Sequence, residues 1–339
     1  MTAVDMTRIL RRITYLPERA ELAEIPWPAG LAPRETATAL AAGGSLPLAD
    51  VLVITWTAAE AQTLADVLTP GAPWKSWTHY AKDFAAYETQ LTSRSPAKEA
   101  RRLGEFHMAA IGDHTVCCYH SQLHPATDGP TLPAAQLAAQ IAGDTGAGLV
   151  ITTGTAGGAG TDVVLGDLNV ATAIHADCTT RLKGHPWSNE EWATTALTAG
   201  QQEMLGSGVL PALLAANAGR LPAEYAPRPP QAWYGHTVGT DLFAYWTANG
   251  EPFALSAYDP AIKTVEMDDF AIALGISTMD TPPRLSSVRN ASDPPLATGS
   301  KANLKLAEEI YEKWGGLTTV SSAIGTWALI AGLVPATRF

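Results

Sequence analysis

Residues 51–68 read VLVITWTAAEAQTLADVL, and this stretch decides the fold class. Val51 to Thr55 form an unbroken apolar and β-branched run, the pattern of a strand covered on both faces. Thr57 follows, with Glu60 three residues later, the Thr-x-x-Glu pattern of a capping box. In that motif the threonine hydroxyl takes one orphan backbone N–H and the glutamate reaches back to another. The helix it starts is AAEAQTLADVL. A buried strand passing at once into a helix is the unit from which α/β folds are built.

The alternation recurs along the chain. Glu105–Ala110 and Thr115–Ser121 read as a hairpin around Ile111-Gly112-Asp113-His114. Pro133–Ala142 is helical, with proline near its first turn. Leu149–Thr153 is a second apolar strand that runs into a glycine-rich turn, Gly154 to Gly158. Leu168–Ile174, Ala232–Val238, Phe253–Ala257 and Leu285–Arg289 read as strands, a helix starts near Glu266, and Lys301–Trp314 and Thr318–Gly332 read as helices. The expected architecture is a three-layer α/β/α sandwich around a mixed, largely parallel central sheet. Residues 1–46, rich in Pro, Ala and Glu, read as an N-terminal extension to a domain spanning 47–339, with 177–230 as a mostly helical insertion.

Composition narrows the class of protein. Of 339 residues, 46% are hydrophobic and 16% charged, the balance of a globular chain. Thirty-three acidic against 22 basic residues give a net charge of −11, which argues against nucleic acid as a partner. Cys117, Cys118 and Cys178 cannot make a disulfide framework, and the N-terminus lacks the apolar core of a signal peptide, so a cytoplasmic protein is expected. The uncharged run 315–337, GGLTTVSSAIGTWALIAGLVPAT, could be a membrane anchor. Its Ser, Thr and Gly content and the amphipathic helix before it favour a buried terminal helix, with no membrane as partner.

Ligands of open α/β sheets bind where loops leave the carboxyl ends of strands. Three such places carry suggestive residues. Gly154-Thr155-Ala156-Gly157-Gly158 could bring backbone N–H groups close to a ligand, or be an ordinary turn. Asp293 stands where the strand LSSVR and its continuation stop before Pro294, either as a functional carboxyl or as an Asx turn. Glu60 is a cap by its spacing. His120, His124 and Asp128 share one loop, but Pro125 breaks any helix that would align them on a metal, so neither a metal nor a cofactor is expected.

Taken together, these segments resemble the nucleoside phosphorylase/nucleosidase superfamily, and its 5′-methylthioadenosine/S-adenosylhomocysteine nucleosidase branch in particular. GTAGG followed by GDLNV at 166–170 is similar to that family's ribose loop and the strand after it. VEMDDFAIA at 265–273 is similar to its ribose-gripping helix start, and VRNASD at 288–293 to the segment ending in its general acid. The resemblance implies cleavage of the N-glycosidic bond of a purine nucleoside. Asp293, preceded by Ser292, would protonate the leaving base at N7, and Glu60 would activate water. Thr155, Ala156 and Gly157 would lie near the reacting carbon, and Glu266, Met267 and Asp268 at the ribose, with Phe243 on the base. A homo-oligomer, dimer or hexamer, is implied as well.

Several positions depart from the family pattern. Asp268 is one methylene shorter than the family's glutamate. The polar loop His120–Gly129 replaces a Gly-Ile-Gly-Lys turn that flanks the 5′ end of the sugar, and Thr57 stands where methylthio-binding relatives have Met. Both suggest a 5′-hydroxyl or a more polar 5′ group. Ala244-Tyr245-Trp246-Thr247 lacks the Gln and Arg of uridine-cleaving relatives, which favours a purine. Water and phosphate compete as co-substrate. The absence of Arg from Thr55-Trp56-Thr57-Ala58-Ala59 favours water, with phosphorolysis as the alternative. A protein that kept the pocket for nucleoside sensing or a defence role, without catalysis, is the reading from another class.

Overall fold

The structure, a computed structural model of the chain, describes residues 11, 13–16, 24–206, 209–218, 220–244, 261–295 and 301–333. Among these residues thirteen strands join one mixed sheet. They are β1 (Arg34–Glu35), β2 (Val51–Thr55), β3 (Thr78–Tyr80), β4 (Gly104–Ile111), β5 (His114–Ser121), β6 (Leu149–Gly158), β7 (Leu168–Val170), β8 (Ala173–Asp177), β9 (Glu191–Ala193), β10 (Ala232–Trp233), β11 (His236–Thr240), β12 (Ile262–Glu266) and β13 (Arg284–Asp293). The central ladders β5–β2, β2–β6 and β6–β13 are parallel, as are β8–β11 and β11–β12. The helices that cover the sheet are α1 (Ala58–Leu68), α2 (Pro133–Thr145), α3 (Ala199–Gly206), α4 (Val209–Ala218), α5 (Asp269–Ser277) and α6 (Lys301–Ala331).

The period of two in a strand explains the layers, because alternate side chains leave opposite faces. Leu52 and Ile54 of β2, with Val150 of β6, join the core that holds Leu137 and Ile141 of α2 and Phe270 and Ile276 of α5. Val51 and Val53, with Leu149 and Ile151, join the other core, with Leu64 and Leu68 of α1 and Ile324 and Trp327 of α6. A strand apolar at every position is therefore the one that two helical layers require. The expected sandwich and its mixed sheet are what the chain adopts.

Several boundaries differ from the sequence reading, each for a physical reason. The glycine-rich segment is not a turn: β6 continues to Gly158, pairing with β13 and, at Gly157 and Gly158, with β12. The run 168–174 divides into β7 and β8, which pair with β13 and β11 respectively. Residues 262–266 form β12, and the helix expected to start near Glu266 begins only at Asp269. The two C-terminal helices are one 31-residue helix. Its polar residues are absorbed by the sheet beneath: the hydroxyls of Thr326 and Thr153 meet at 2.8 Å, and Ser322 Oγ lies 2.8 Å from Asn290 Oδ1. Among the described residues no helix is long and apolar enough to cross a membrane.

The extension and insertion are also more integrated than expected. Arg34 and Glu35 pair with Ala110 and Ala109 at the sheet edge, and Ile13 is buried. Among the described residues of 177–230 the helices are α3 and α4, while Glu191–Ala193 adds β9 to the sheet. The segment Phe253–Ala257 lies outside the described residues.

Trp327 tests the buried placement of α6. It is fully buried, its Nε1–H donates to Leu31 O at 2.8 Å, and its ring lies 4.6 Å from that of Trp27. Trp327→Ala is expected to cost about 3–5 kcal/mol in urea unfolding, and a loss below about 1 kcal/mol would contradict this packing.

Candidate active site

A cavity of about 550 Å³ opens where the carboxyl ends of β2, β5, β6, β11 and β12 come together. Thr57 and Glu60 enter from the start of α1, and Thr155, Ala156 and Gly157 from the end of β6. Glu266, Met267 and Asp268 come from the β12–α5 junction, Phe243 and Ala244 from the segment after β11, and His124 from the loop after β5. Ile13 closes one side.

Glu60 performs its cap and more. The capping box with Thr57 is present. Glu60 Oε2 accepts hydrogen bonds from Thr55 Oγ1 at 3.0 Å, Trp56 N at 3.0 Å and Thr57 N at 2.9 Å. Oε1 accepts from Thr155 N at 2.7 Å and from the Thr155 hydroxyl at 2.8 Å. One carboxylate thus ties β2, α1 and β6 together. Gly154 makes this possible, since a Cβ there would sit 2.4 Å from the Glu60 carboxyl carbon. Burial acts to raise the Glu60 pKa, but the Arg289 charge and the Thr57 and Thr155 hydrogen bonds outweigh it, and the carboxyl is held below its usual range.

Beneath the cavity lies a buried ion pair. The Arg289 guanidinium meets Asp269 through two nitrogens, lies 3.2 Å from Glu266 Oε2, and stacks 4.9 Å from the Trp56 ring. Glu266 Oε2 also accepts the N–H groups of Asp268 at 2.5 Å and Asp269 at 2.9 Å, so this carboxylate holds the first turn of α5. Its other oxygen, Oε1, is buried without a hydrogen bond, as is Asp268 Oδ1. Burial raises the Glu266 pKa, and the charge of Asp269 raises it further. Burial likewise raises Asp268, with Glu266, Glu60 and Asp269 adding to the rise against the lowering effect of Arg289. One guanidinium cannot fully compensate four neighbouring carboxyls, and these two are the ones whose pKa values are raised.

His124 is fixed in one tautomer. Its Nδ1 accepts the Ala126 N–H at 3.1 Å, so the proton of the neutral ring is on Nε2, which lies 3.3 Å from Asp268 Oδ1. Burial pushes its pKa down to about 3. The three residues weighed as a metal cluster go to separate partners: His120 to Glu105 and Trp56 O, Asp128 to Ser95 and the His124 N–H.

Asp293 is buried one layer behind the cavity wall. A bulge in β13 makes Ser292 an extra residue, so that Ala291 faces Ala156 and Asp293 faces Gly157. A Cβ on Gly157 would lie 3.1 Å from Asp293 Oδ2 and 3.0 Å from Val265 Cγ1, so this carboxyl packs against a bare glycine that lines the cavity. Ser292 Oγ lies 3.1 Å from both Asp293 Oδ1 and Ala156 O. Its single proton serves one at a time.

Eight residues singled out from sequence line the cavity: Glu60, Thr155, Ala156, Gly157, Phe243, Glu266, Met267 and Asp268. Asp293 and Ser292 adjoin it without lining it. Sequence reasoning missed Ile13, which the reading of 1–46 as an extension set aside, and it placed the loop 120–129 beside the sugar without singling out His124 in it. It also missed the Arg289–Asp269 pair, although both residues lie inside quoted motifs.

The raised carboxyls give a test. A carboxyl with a raised folded pKa binds more protons folded than unfolded, so its stabilisation is full at low pH and is lost as pH rises through the folded value. His124 works the other way, but its effect is nearly complete above about pH 7.5, where the unfolded ring is largely neutral. From about pH 7.5 to 8.5 the melting temperature should therefore fall, and Glu266→Gln should flatten that slope. Identical slopes in both proteins would contradict the assignment.

Residues 68–273, more than half the chain, match the model of the phosphorylase superfamily. No curated protein matches the chain. Among solved structures, the 5′-methylthioadenosine/S-adenosylhomocysteine nucleosidase from Neisseria meningitidis, in complex with methylthio-immucillin-A, is similar at 18% identity and a TM-score of 0.52, covering 84% of this chain and 99% of that one. The nucleosidase of the same kind from S. pneumoniae, with a transition-state inhibitor, is similar at 17% identity and a TM-score of 0.53, covering 84% and 99%. Futalosine hydrolase of Helicobacter pylori is similar at 13% identity and 0.51, covering 84% and 97%. At these identities the likeness is one of fold.

Proposed function

Because the chain belongs to the phosphorylase superfamily, we propose that it hydrolyses the N-glycosidic bond of a purine nucleoside. One observation carries the reading: Glu60, Glu266 and Asp268 line the cavity, and among the described residues no Lys or Arg lines it. Such a wall suits vicinal hydroxyls, which need fixed acceptors, and an oxocarbenium-like sugar, which is positively charged. It does not suit a phosphate dianion, because the nearby guanidinium of Arg289 is already engaged by Asp269 and Glu266. Water is therefore favoured over phosphate.

In this reading Glu266 Oε1 and Asp268 Oδ1 take the pentose hydroxyls and Phe243 packs on the base. Asp293, reaching past Gly157, gives a proton to N7 as the bond from C1′ to N9 breaks. The water oxygen bonds to C1′ and its proton goes to Glu60, which must release one of its five hydrogen bonds to receive it. That demand, and the lowered Glu60 pKa, favour a second reading: a protein that binds nucleoside and does not cleave it.

Incubation with a nucleoside panel, with and without phosphate, separates these readings. Free purine is expected at a rate independent of phosphate. Asp293→Asn should lower that rate by ~10²-fold or more. Phosphate-dependent release would replace hydrolysis by phosphorolysis, and a nucleoside-induced rise in melting temperature without free base would favour the binding protein.

A further inference from the structure

Behind the cavity wall, the loop after β5 closes on itself around one carboxyl. Asp128 is fully buried. Its Oδ2 accepts the His124 N–H at 2.8 Å, and its Oδ1 accepts the Ser95 hydroxyl at 2.8 Å. The N–H groups of Thr127 and Asp128 return to His124 O at 2.9 and 3.0 Å. Arg181, from the segment after β8, donates to the carbonyl of Pro125 and, at 3.0 Å, to that of Asp128. Residues 124–128 therefore form a turn fastened from within by Asp128 and from without by Arg181.

The turn fixes the state of the His124 ring. It places the Ala126 N–H 3.1 Å from Nδ1. A backbone N–H can only donate, so while that bond stands Nδ1 takes no proton and the ring cannot become an imidazolium. Burial acts in the same direction. The consequence falls on Asp268, whose Oδ1 lies 3.3 Å from Nε2 yet makes no hydrogen bond. An imidazolium there would draw Asp268 into an ion pair and occupy that acceptor. The other charged groups acting on the ring are Glu60, Arg181 and Arg289. Arg181 acts on Asp128 too, and on Asp241.

We infer that Asp128 is a positioning residue for the cavity: by closing the turn it keeps the Ala126 N–H on His124 Nδ1, and so keeps Asp268 open to a substrate hydroxyl. This rests on Asp268 taking such a hydroxyl, as in the proposed reaction. Asp128 does not itself line the cavity. Its role needs the carboxyl's shape and not its charge. Burial raises its pKa to about 7, and once protonated Oδ1 can donate to Ser95 Oγ while Oδ2 still accepts the His124 N–H. An amide makes the same two bonds.

Two readouts between about pH 5.5 and pH 8 test this. One is the His124 ring, by nitrogen NMR of histidine-labelled protein, with its signal assigned from His124→Gln. The other is the dissociation constant of the C-nucleoside formycin A, by calorimetry. In wild type and in Asp128→Asn the ring should stay neutral with its proton on Nε2. In Asp128→Ala it should titrate near about 6.5, and formycin A should bind about tenfold more weakly at the acid end than at the basic end, beyond any change in wild type. Adding His124→Gln to Asp128→Ala should remove that excess, because glutamine does not titrate. Should Asp128→Ala not fold, Arg181→Gln, which loosens the turn at its carbonyls, is read for the same pair of changes. A wild-type ring that titrates near about 6.5, or a loosened turn with both readouts as in wild type, would overturn the inference. Ring titrations as expected, with no binding of formycin A by wild type, would instead sink the nucleoside reading alone.

Discussion

A single guanidinium organises the acidic wall of this protein. Arg289 lies fully buried on β13, between Asp269 and Glu266 on one side and the Trp56 ring on the other. A buried charge is tolerated only when paired and hydrogen-bonded, and breaking such a pair costs about 3–5 kcal/mol because it strands the partner. Arg289 therefore fixes where α5 begins, because Asp269 and the backbone held by Glu266 are its first turn. Its field also reaches Glu60, which it helps keep ionised, and it leaves Glu266 and Asp268 short of compensation. An uncompensated acceptor facing a cavity suits a hydroxyl donor.

Backbone close approach is the second constraint. β6 crosses beneath the site as an extended strand, and its glycines let side chains from neighbours come against it. Glu60 lies over Gly154 and Asp293 over Gly157, at distances a Cβ would close. The bulge at Ser292 completes the arrangement by adding one residue to β13, which sets Asp293 opposite Gly157. The ordinary reason for glycine in a turn thus gives way here to a reason of space.

Much of this was legible in the sequence because the signals were local. VLVIT and LVITT are buried strands, and the Thr57–Glu60 box starts α1 as its spacing requires. Eight of the proposed contacts came together because motifs at strand ends converge in an α/β sheet whatever lies between them. What stayed hidden depends on pairing at a distance. The glycine-rich segment extends as a strand only because β12 and β13 flank it, and no local pattern announces that. The run IKTVE gave no strand signal distinct from the helix after it, yet Asn169 holds it through Thr264 Oγ1 at 2.9 Å. Asp167, quoted within GDLNV, takes Arg228 and the Trp233 indole, a contact across 61 residues to the first of these. Ile13 was invisible because a lone apolar residue in a polar extension carries no periodicity to read.

The central claim is that this carboxylate-lined cavity holds the sugar of a nucleoside with the base toward Asp293. A crystal structure with a C-nucleoside, in which a carbon–carbon bond replaces the cleavable one, tests it most directly. The 2′- and 3′-hydroxyls should lie on Glu266 Oε1 and Asp268 Oδ1, the ring against Phe243, and a purine-type nitrogen within hydrogen-bonding reach of the Asp293 carboxyl. A pentose bound away from both acceptors, or a base turned from Gly157 with Asp293 still sealed behind it, would contradict the account.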